Sequence, residues 1–301
     1  MGRIPDWMKA QQLTAEEASA IKRIKEVSLK YAVHTLHAEN IYPLTLEYYK
    51  SGVPTFLIMG DICSRSCKFC YLSNWSSAKP KPIDAGEAKR LADAIAELEL
   101  KHVVITSVCR DDIYDGGVSH FADCISTIKS KNKDTVVEAV IPDFQGKLYS
   151  IKKIISAQPD IICHNIETVK RLYKEVMDST ASYDRSLLVL KKVKELAPSI
   201  RTKSSLFLGL GEKEEDILET LRDIRSTGVE MLSIGQYVQP SALHIKTKRF
   251  IEPSVFENLR QRALDMGFIE VESNPFGRNP YNPLSHLKRS MDIMVVPAIK
   301  S

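Results

Sequence analysis

A chain of 301 residues holds one large domain or two modest ones, and its 44 % hydrophobic and 27 % charged residues are the balance of a globular protein, not a disordered one. Lys and Arg total 42 against 38 for Asp and Glu, an excess too thinly spread to form a nucleic-acid surface. No apolar run approaches the ~20 residues a bilayer requires, and the opening MGRIPDWMKAQQ lacks the apolar core of a signal peptide. These readings predict a cytoplasmic protein with no membrane and no nucleic-acid partner.

In chain order, the first predicted element is a helix over roughly Thr14 to Leu36, with Ile21, Ile24, Val27, Leu29 and Val33 near helical spacing. Six candidate strands follow from Val53 onward: VPTFLIM, HVVITS, VVEAVI, DIICH, TKSSLFLGL and EMLSIGQY. Helices are predicted near Ala85 to Glu97, Val118 to Lys129, Val169 to Val176, Arg185 to Leu196, Glu214 to Ser226 and Pro253 to Met266. Strands alternating with helices, without hairpin signals, imply parallel strands joined by right-handed crossovers. That leaves an α/β barrel or an open doubly wound sheet. Polar residues and cysteines follow the strand ends, which favours a partial (β/α)6 barrel with its site at the C-terminal mouth. The expected organisation is an N-terminal helical extension over 1–50, a barrel core over 51–282 and a loosely attached tail over 283–301.

Six cysteines are too few for a disulfide scaffold, and three of them fall within eight residues. Cys63, Cys67 and Cys70 form CxxxCxxC on a short loop after the first predicted strand. Three soft thiolates so placed hold three irons of a cubane cluster and leave the fourth without a protein ligand. The amino and carboxylate groups of S-adenosylmethionine (SAM) suit that open iron, and one-electron reduction of its sulfonium releases a 5′-deoxyadenosyl radical. A zinc site is the alternative, but three cysteines alone leave zinc one ligand short.

The motif, with the aromatic Phe69 inside it, resembles that of the radical SAM superfamily. Further segments, among them RIPDWMK, FLIMGDICSRSCKFC, HVVITSVCRDD, PDFQG, HNIETV, TKSSLFLGLGE and MGFIEVESNPFGR, resemble lipoyl synthases from near one end of the chain to the other. The resemblance implies a partial barrel with one 4Fe-4S cluster on Cys63, Cys67 and Cys70 and SAM across the strand ends. Thr106, Ser107, Arg110 and Asp112 would lie beside the methionine part of SAM, with a strand-end salt bridge as the alternative for Arg110 and Asp112. Asn165 and Glu167 would meet the ribose hydroxyls or the methionine carboxylate, and Lys203 with Ser204 would face the same ligand. Gln236 to Gln239 would offer backbone groups to adenine. The glycines of Leu208 to Glu212 lack dinucleotide-binding spacing and read as a strand-to-helix turn.

Lipoyl synthases carry a second cluster that supplies sulfur, on CxxxxCxxxxxC and a serine in RSSY. Here His37, Tyr42 and Tyr48 occupy the three cysteine positions and Asn279 the serine position. The aromatic set reads as packing in the vacated space or as a substrate pocket. Cys124 reads as a buried helix thiol and Cys163 as a strand residue, whereas Cys109 and Tyr71 fall near the expected site, Cys109 positioned to contact substrate or donate hydrogen. The resemblance thus implies hydrogen abstraction from an aliphatic carbon, of an octanoyl chain on a carrier protein or of another substrate. A ferredoxin or flavodoxin would supply electrons and a separate donor the sulfur. A non-catalytic iron-sulfur subunit is the reading from another class.

Overall fold

The computed structural model describes residues 4–8, 14–36, 53–72 and 78–277. Helix α1 (Ala15–Lys30) begins on a reciprocal cap, Thr14 Oγ1 accepting from Glu17 N at 3.2 Å and Glu17 Oε2 from Thr14 N at 2.7 Å. Its buried Ile21, Ile24 and Val27 share one face. The helix ends at Lys30, short of the expected Leu36, because Ala32 adopts φ 49° and the chain turns into β1 (His34–Thr35). Lys30 Nζ and Tyr31 Oη both donate to Glu97 Oε2, at 2.6 and 2.7 Å, tying α1 to the end of α2 (Glu87–Glu97).

All six predicted strands are present, as β2 (Thr55–Ile58), β3 (His102–Ser107), β4 (Val136–Val140), β5 (Ile161–Cys163), β6 (Arg201–Leu208) and β7 (Met231–Gln236). The short β1 and β8 (Glu270–Ser273) extend the sheet at its two edges. Strand order equals chain order, β1 is antiparallel to β2, and β2 through β8 are parallel. Among the described residues β1 and β8 do not pair, so the barrel is open. The remaining helices are α3 (Val118–Lys131), α4 (Leu148–Ser156), α5 (Tyr173–Val176), α6 (Tyr183–Leu196), α7 (Glu214–Ser226) and α8 (Pro253–Asp265). The stretch expected as one helix over Val169 to Val176 is a 3-10 turn, Lys170–Leu172, followed by the single turn of α5.

Alternation along the strands sets the two faces of the sheet. Val103, Ile105, Val137, Ala139 and Ile162 pack in one apolar cluster with residues of α2, α3 and α4. Leu206, Leu208, Leu232 and Ile234 do so with α6, α7 and α8. Their neighbours point into the hollow of the sheet, which is polar at depth: Lys203 Nζ donates to Glu138 Oε1 at 3.0 Å, and His102 Nε2 lies 3.6 Å from Glu138 Oε2. Among the described residues no helix is long and apolar enough to cross a membrane.

Candidate active site

A cavity of about 290 Å3 opens at the C-terminal ends of the strands, where the polar hollow meets the loops. The chain leaves β2 through Met59 and Gly60, both at positive φ (66° and 82°), and enters the cysteine loop. Hydrogen bonds pin that loop from several sides. Ser64 N and Ser64 Oγ donate to Cys109 O, each at 2.9 Å; Ser66 N donates to Asp178 Oδ2 at 2.8 Å and Lys68 N to Val176 O at 2.8 Å. Past the third cysteine, His244 Nε2 lies 3.2 Å from Cys70 O and Ile245 N donates to Lys68 O at 2.9 Å.

Cys63, Cys67 and Cys70 all line the cavity. Burial raises the Cys67 thiol to about 12, assisted by charge on Cys63, and pushes Cys70 up as well, assisted by charge on Cys67 and Cys63. Cys63 instead sits at about 7, because a hydrogen bond from Cys109 and another from Arg65 N overcome its burial. Arg65 N lies 3.4 Å from Cys63 Sγ and Asp178 N 3.3 Å from Cys67 Sγ. Three shielded thiols with backbone donors aimed at two of them are costly as bare thiolates and well suited to a metal centre that supplies positive charge. The donor set fits a cubane cluster.

Arg65, inside the motif but missed in the sequence reading, organises the loop. Its guanidinium is buried at 6 % exposure and meets two carboxylates, Nε to Asp111 Oδ2 and Nη2 to Asp143 Oδ1, both at 2.7 Å. Arg185 Nη1 adds a second cation to Asp143, at 3.2 Å from Oδ2. Burial alone would raise Asp143; the hydrogen bonds and charge of Arg65 reverse that and hold it at about 2. The signal available was a basic residue inside the cysteine loop and an acidic one after a strand.

Among the other predicted site residues, Phe69, Thr106, Ser107, Asn165 and Glu167 line the same cavity, as do Tyr71 and Cys109. Phe69 packs against Phe207 with ring centroids 5.9 Å apart. Glu167 holds φ 67°, an unfavourable conformation for a residue with a side chain, between backbone bonds to Ser205 O and from Phe207 N. Ser107 Oγ, His164 Nε2 and Ser205 Oγ are buried on this cavity without a hydrogen-bond partner in the protein. Such orphans suit a polar ligand.

Arg110, Asp112, Lys203, Ser204, Gln236 and Gln239 do not line this cavity. Lys203 lies on the inner face but one pleat repeat beneath Ser205, and its ammonium is committed to Glu138. The Gln236 side chain turns to the helix side, donating to Leu208 O at 3.1 Å and accepting from Ile251 N at 2.8 Å, while the following Tyr237, Val238 and Pro240 do line the cavity. Arg110 takes the salt-bridge alternative, pairing with Asp112 at 2.9 Å and donating to Met59 O and Lys81 O. The turn at Leu208 to Glu212 is a strand-to-helix connection in which Glu212 accepts from Gly209 N and Leu210 N. His37, Tyr42, Tyr48, Asn279 and the tail from 283 lie outside the described residues.

An open parallel barrel with three thiols on the loop after its first parallel strand defines a radical SAM enzyme. The family model described as "Radical SAM superfamily" matches residues 57–224. Lipoyl synthase of Alkaliphilus metalliredigens is 44 % identical over 287 residues, covering 95 % of this chain and 97 % of that protein. Lipoyl synthase of Caldicellulosiruptor saccharolyticus is 44 % identical, with 92 % and 95 % covered. The chain therefore belongs to the lipoyl synthase family within the radical SAM superfamily, whose members work with a 4Fe-4S cluster and SAM. Among solved structures, methylornithine synthase (PylB) superimposes with a TM-score of 0.55 at 13 % identity, covering 95 % of this chain and 94 % of that one; this likeness is one of fold.

Proposed function

We propose that Cys63, Cys67 and Cys70 hold a single 4Fe-4S cluster and that the chain removes hydrogen from an aliphatic carbon of an octanoyl-type chain carried on a protein. Held by these three thiolates, the cluster would supply the one-electron reduction that cleaves SAM and so begins hydrogen abstraction from the substrate. The observation that carries the reading is the convergence on one cavity of the three thiols, the polar set Thr106, Ser107, Asn165 and Glu167, and the apolar Leu36, Leu72, Met177 and Val238. Thr106, Ser107, Asn165 and Glu167 hold and orient SAM, and the backbone at Tyr237 and Val238 meets its adenine. The apolar wall accepts an alkyl chain and keeps water from the radical.

Tyr42, Tyr48 and Asn279 are poor ligands for a sacrificial cluster, which favours sulfur from a separate donor. The same substitutions support a second reading, a radical reaction on another substrate. A ferredoxin or flavodoxin supplies electrons in either case, in a cytoplasmic setting that keeps the thiols reduced. A scaffold subunit has no use for polar groups gathered on a ligand-sized cavity.

The test is anaerobic iron and sulfide quantitation with a dithionite-driven assay for 5′-deoxyadenosine, with and without an octanoylated lipoyl-domain peptide. About four irons per chain and peptide-dependent deoxyadenosine support the proposal. Deoxyadenosine indifferent to the peptide points to the second reading. About eight irons with a thiolated peptide overturn the single-cluster assignment.

A further inference from the structure

The cysteine loop has an outer side that the cavity does not use. Cys67, Phe69 and Cys70 line the cavity, whereas Lys68, between them, does not and is exposed. Its backbone joins two neighbouring segments: Lys68 N donates to Val176 O of α5 at 2.8 Å, and Ile245 N donates to Lys68 O at 2.9 Å. Lys174 on α5 and Lys246 beside Ile245 are exposed as well. Among the described residues none of these three lysines has a salt bridge, because the carboxylates of the same segments are taken: Glu175 by Lys248 at 3.1 Å, Glu212 by Arg249 at 3.8 Å and Asp216 by Arg171 at 2.6 Å. The surface therefore carries surplus positive charge. Leu243 adds an apolar spot, 69 % exposed, and the next residue, His244, is buried with Nε2 3.2 Å from Cys70 O.

We propose that this basic surface docks a small acidic protein that carries single electrons and delivers them to the cluster through the cysteine loop. The inference rests on the assignment of the cluster to Cys63, Cys67 and Cys70, and it names where the electron source binds. In each transfer one electron leaves the carrier, which is oxidised, and enters the cluster, which is reduced. Transfer falls off steeply with distance, so the carrier must approach at the cysteine loop, and the cavity side of that loop is given to SAM and substrate. Unpaired cations around the contact steer an acidic partner and raise its encounter rate. One exposed leucine among lysines suits the small, transient interfaces of electron-transfer partners, which must separate after each delivery.

The test uses the full chain reconstituted anaerobically, as wild type and as the double variant Lys174→Glu, Lys246→Glu, and follows 5′-deoxyadenosine formed from SAM with an octanoylated lipoyl domain present. The reductant is either reduced flavodoxin, varied in concentration, or dithionite, which is too small to need a docking surface. With flavodoxin the double variant should lose about tenfold in kcat/KM for flavodoxin. Wild type should lose most of its advantage when the ionic strength is raised to about 1 M, where exposed charges are screened. With dithionite the two proteins should match. Equal kcat/KM for flavodoxin in both proteins overturns the inference, as does a wild-type value indifferent to salt. A variant with normal flavodoxin kinetics and a raised KM for the octanoylated domain assigns the surface to the acyl carrier and also overturns it. Should the double variant lose its dithionite-driven activity too, Lys174→Gln with Lys246→Gln takes its place, and an unchanged kcat/KM for flavodoxin there overturns the inference. A wild type that binds no iron, or forms no deoxyadenosine with dithionite, defeats the cluster assignment and the inference with it, and is told apart by the iron count and the dithionite assay.

Discussion

His102 shows how burial on the inner face of the sheet sets the chemistry of a single residue. Burial pushes its imidazole down from 6.5 to about 4, with the Glu138 carboxylate opposing and the Lys203 charge assisting. In the unfolded chain it protonates at the ordinary value, so unfolding takes up a proton below about pH 6.5. The stability gained by keeping it neutral is complete above that value and is lost as pH falls toward 4, amounting to about 3 kcal/mol. Urea unfolding of the cluster-free protein at several pH values should show this fall, and His102→Gln should flatten it. Equal slopes in both proteins would mean that His102 does not carry the effect. At this scale, Cys63, Cys67 and Cys70 were legible because one short loop contains them all. That the Lys203 ammonium meets Glu138 and the Gln236 side chain meets Leu208 O and Ile251 N was not legible, since the face and layer of a strand residue depend on register with neighbouring strands.

At the scale of elements, α2 does more than cover the sheet. Glu87, in its first turn, is buried and its Oε2 accepts from Met59 N at 3.0 Å and from His120 Nε2 of α3 at 2.7 Å. One carboxylate thereby joins two helices to the positive-φ turn that leads into the cysteine loop. Gly117 at the start of α3 completes the fit, because a Cβ there would collide with Met59 Sδ. Glu87→Ala strands a buried N–H and a buried imidazole, and should cost about 2 to 3 kcal/mol in thermal unfolding and loosen iron retention. Glu87→Gln keeps an acceptor for Met59 N and should lose less; equal losses would place the effect in helix packing instead. The elements that escaped the sequence have local causes. Leu148–Ser156 is nine residues without a side-chain N-cap, β8 is the polar Glu-Val-Glu-Ser that becomes a strand only beside β7, and β1 is two residues long.

Across the whole molecule, stability and chemistry occupy different sides of the sheet. The two large apolar clusters lie between strands and helices, whereas the thiols face the mouth of the hollow. Cys67→Ala should therefore abolish cluster binding and SAM cleavage while far-UV circular dichroism and the cooperative thermal transition survive. Retained cleavage would refute the cluster assignment, and collapse of the fold would refute the separation of the two sides. By itself the sequence determined the alternation of strands and helices, the parallel barrel and the cysteine loop, because hydrophobic period and ligand spacing are properties of short stretches of chain. Only the tertiary structure decided that Arg65 is clamped by Asp111 and Asp143 and that Lys203 lies beneath the cavity on Glu138. Those partners lie dozens of residues apart along the chain, and only strand register and the twist of the sheet bring such residues face to face.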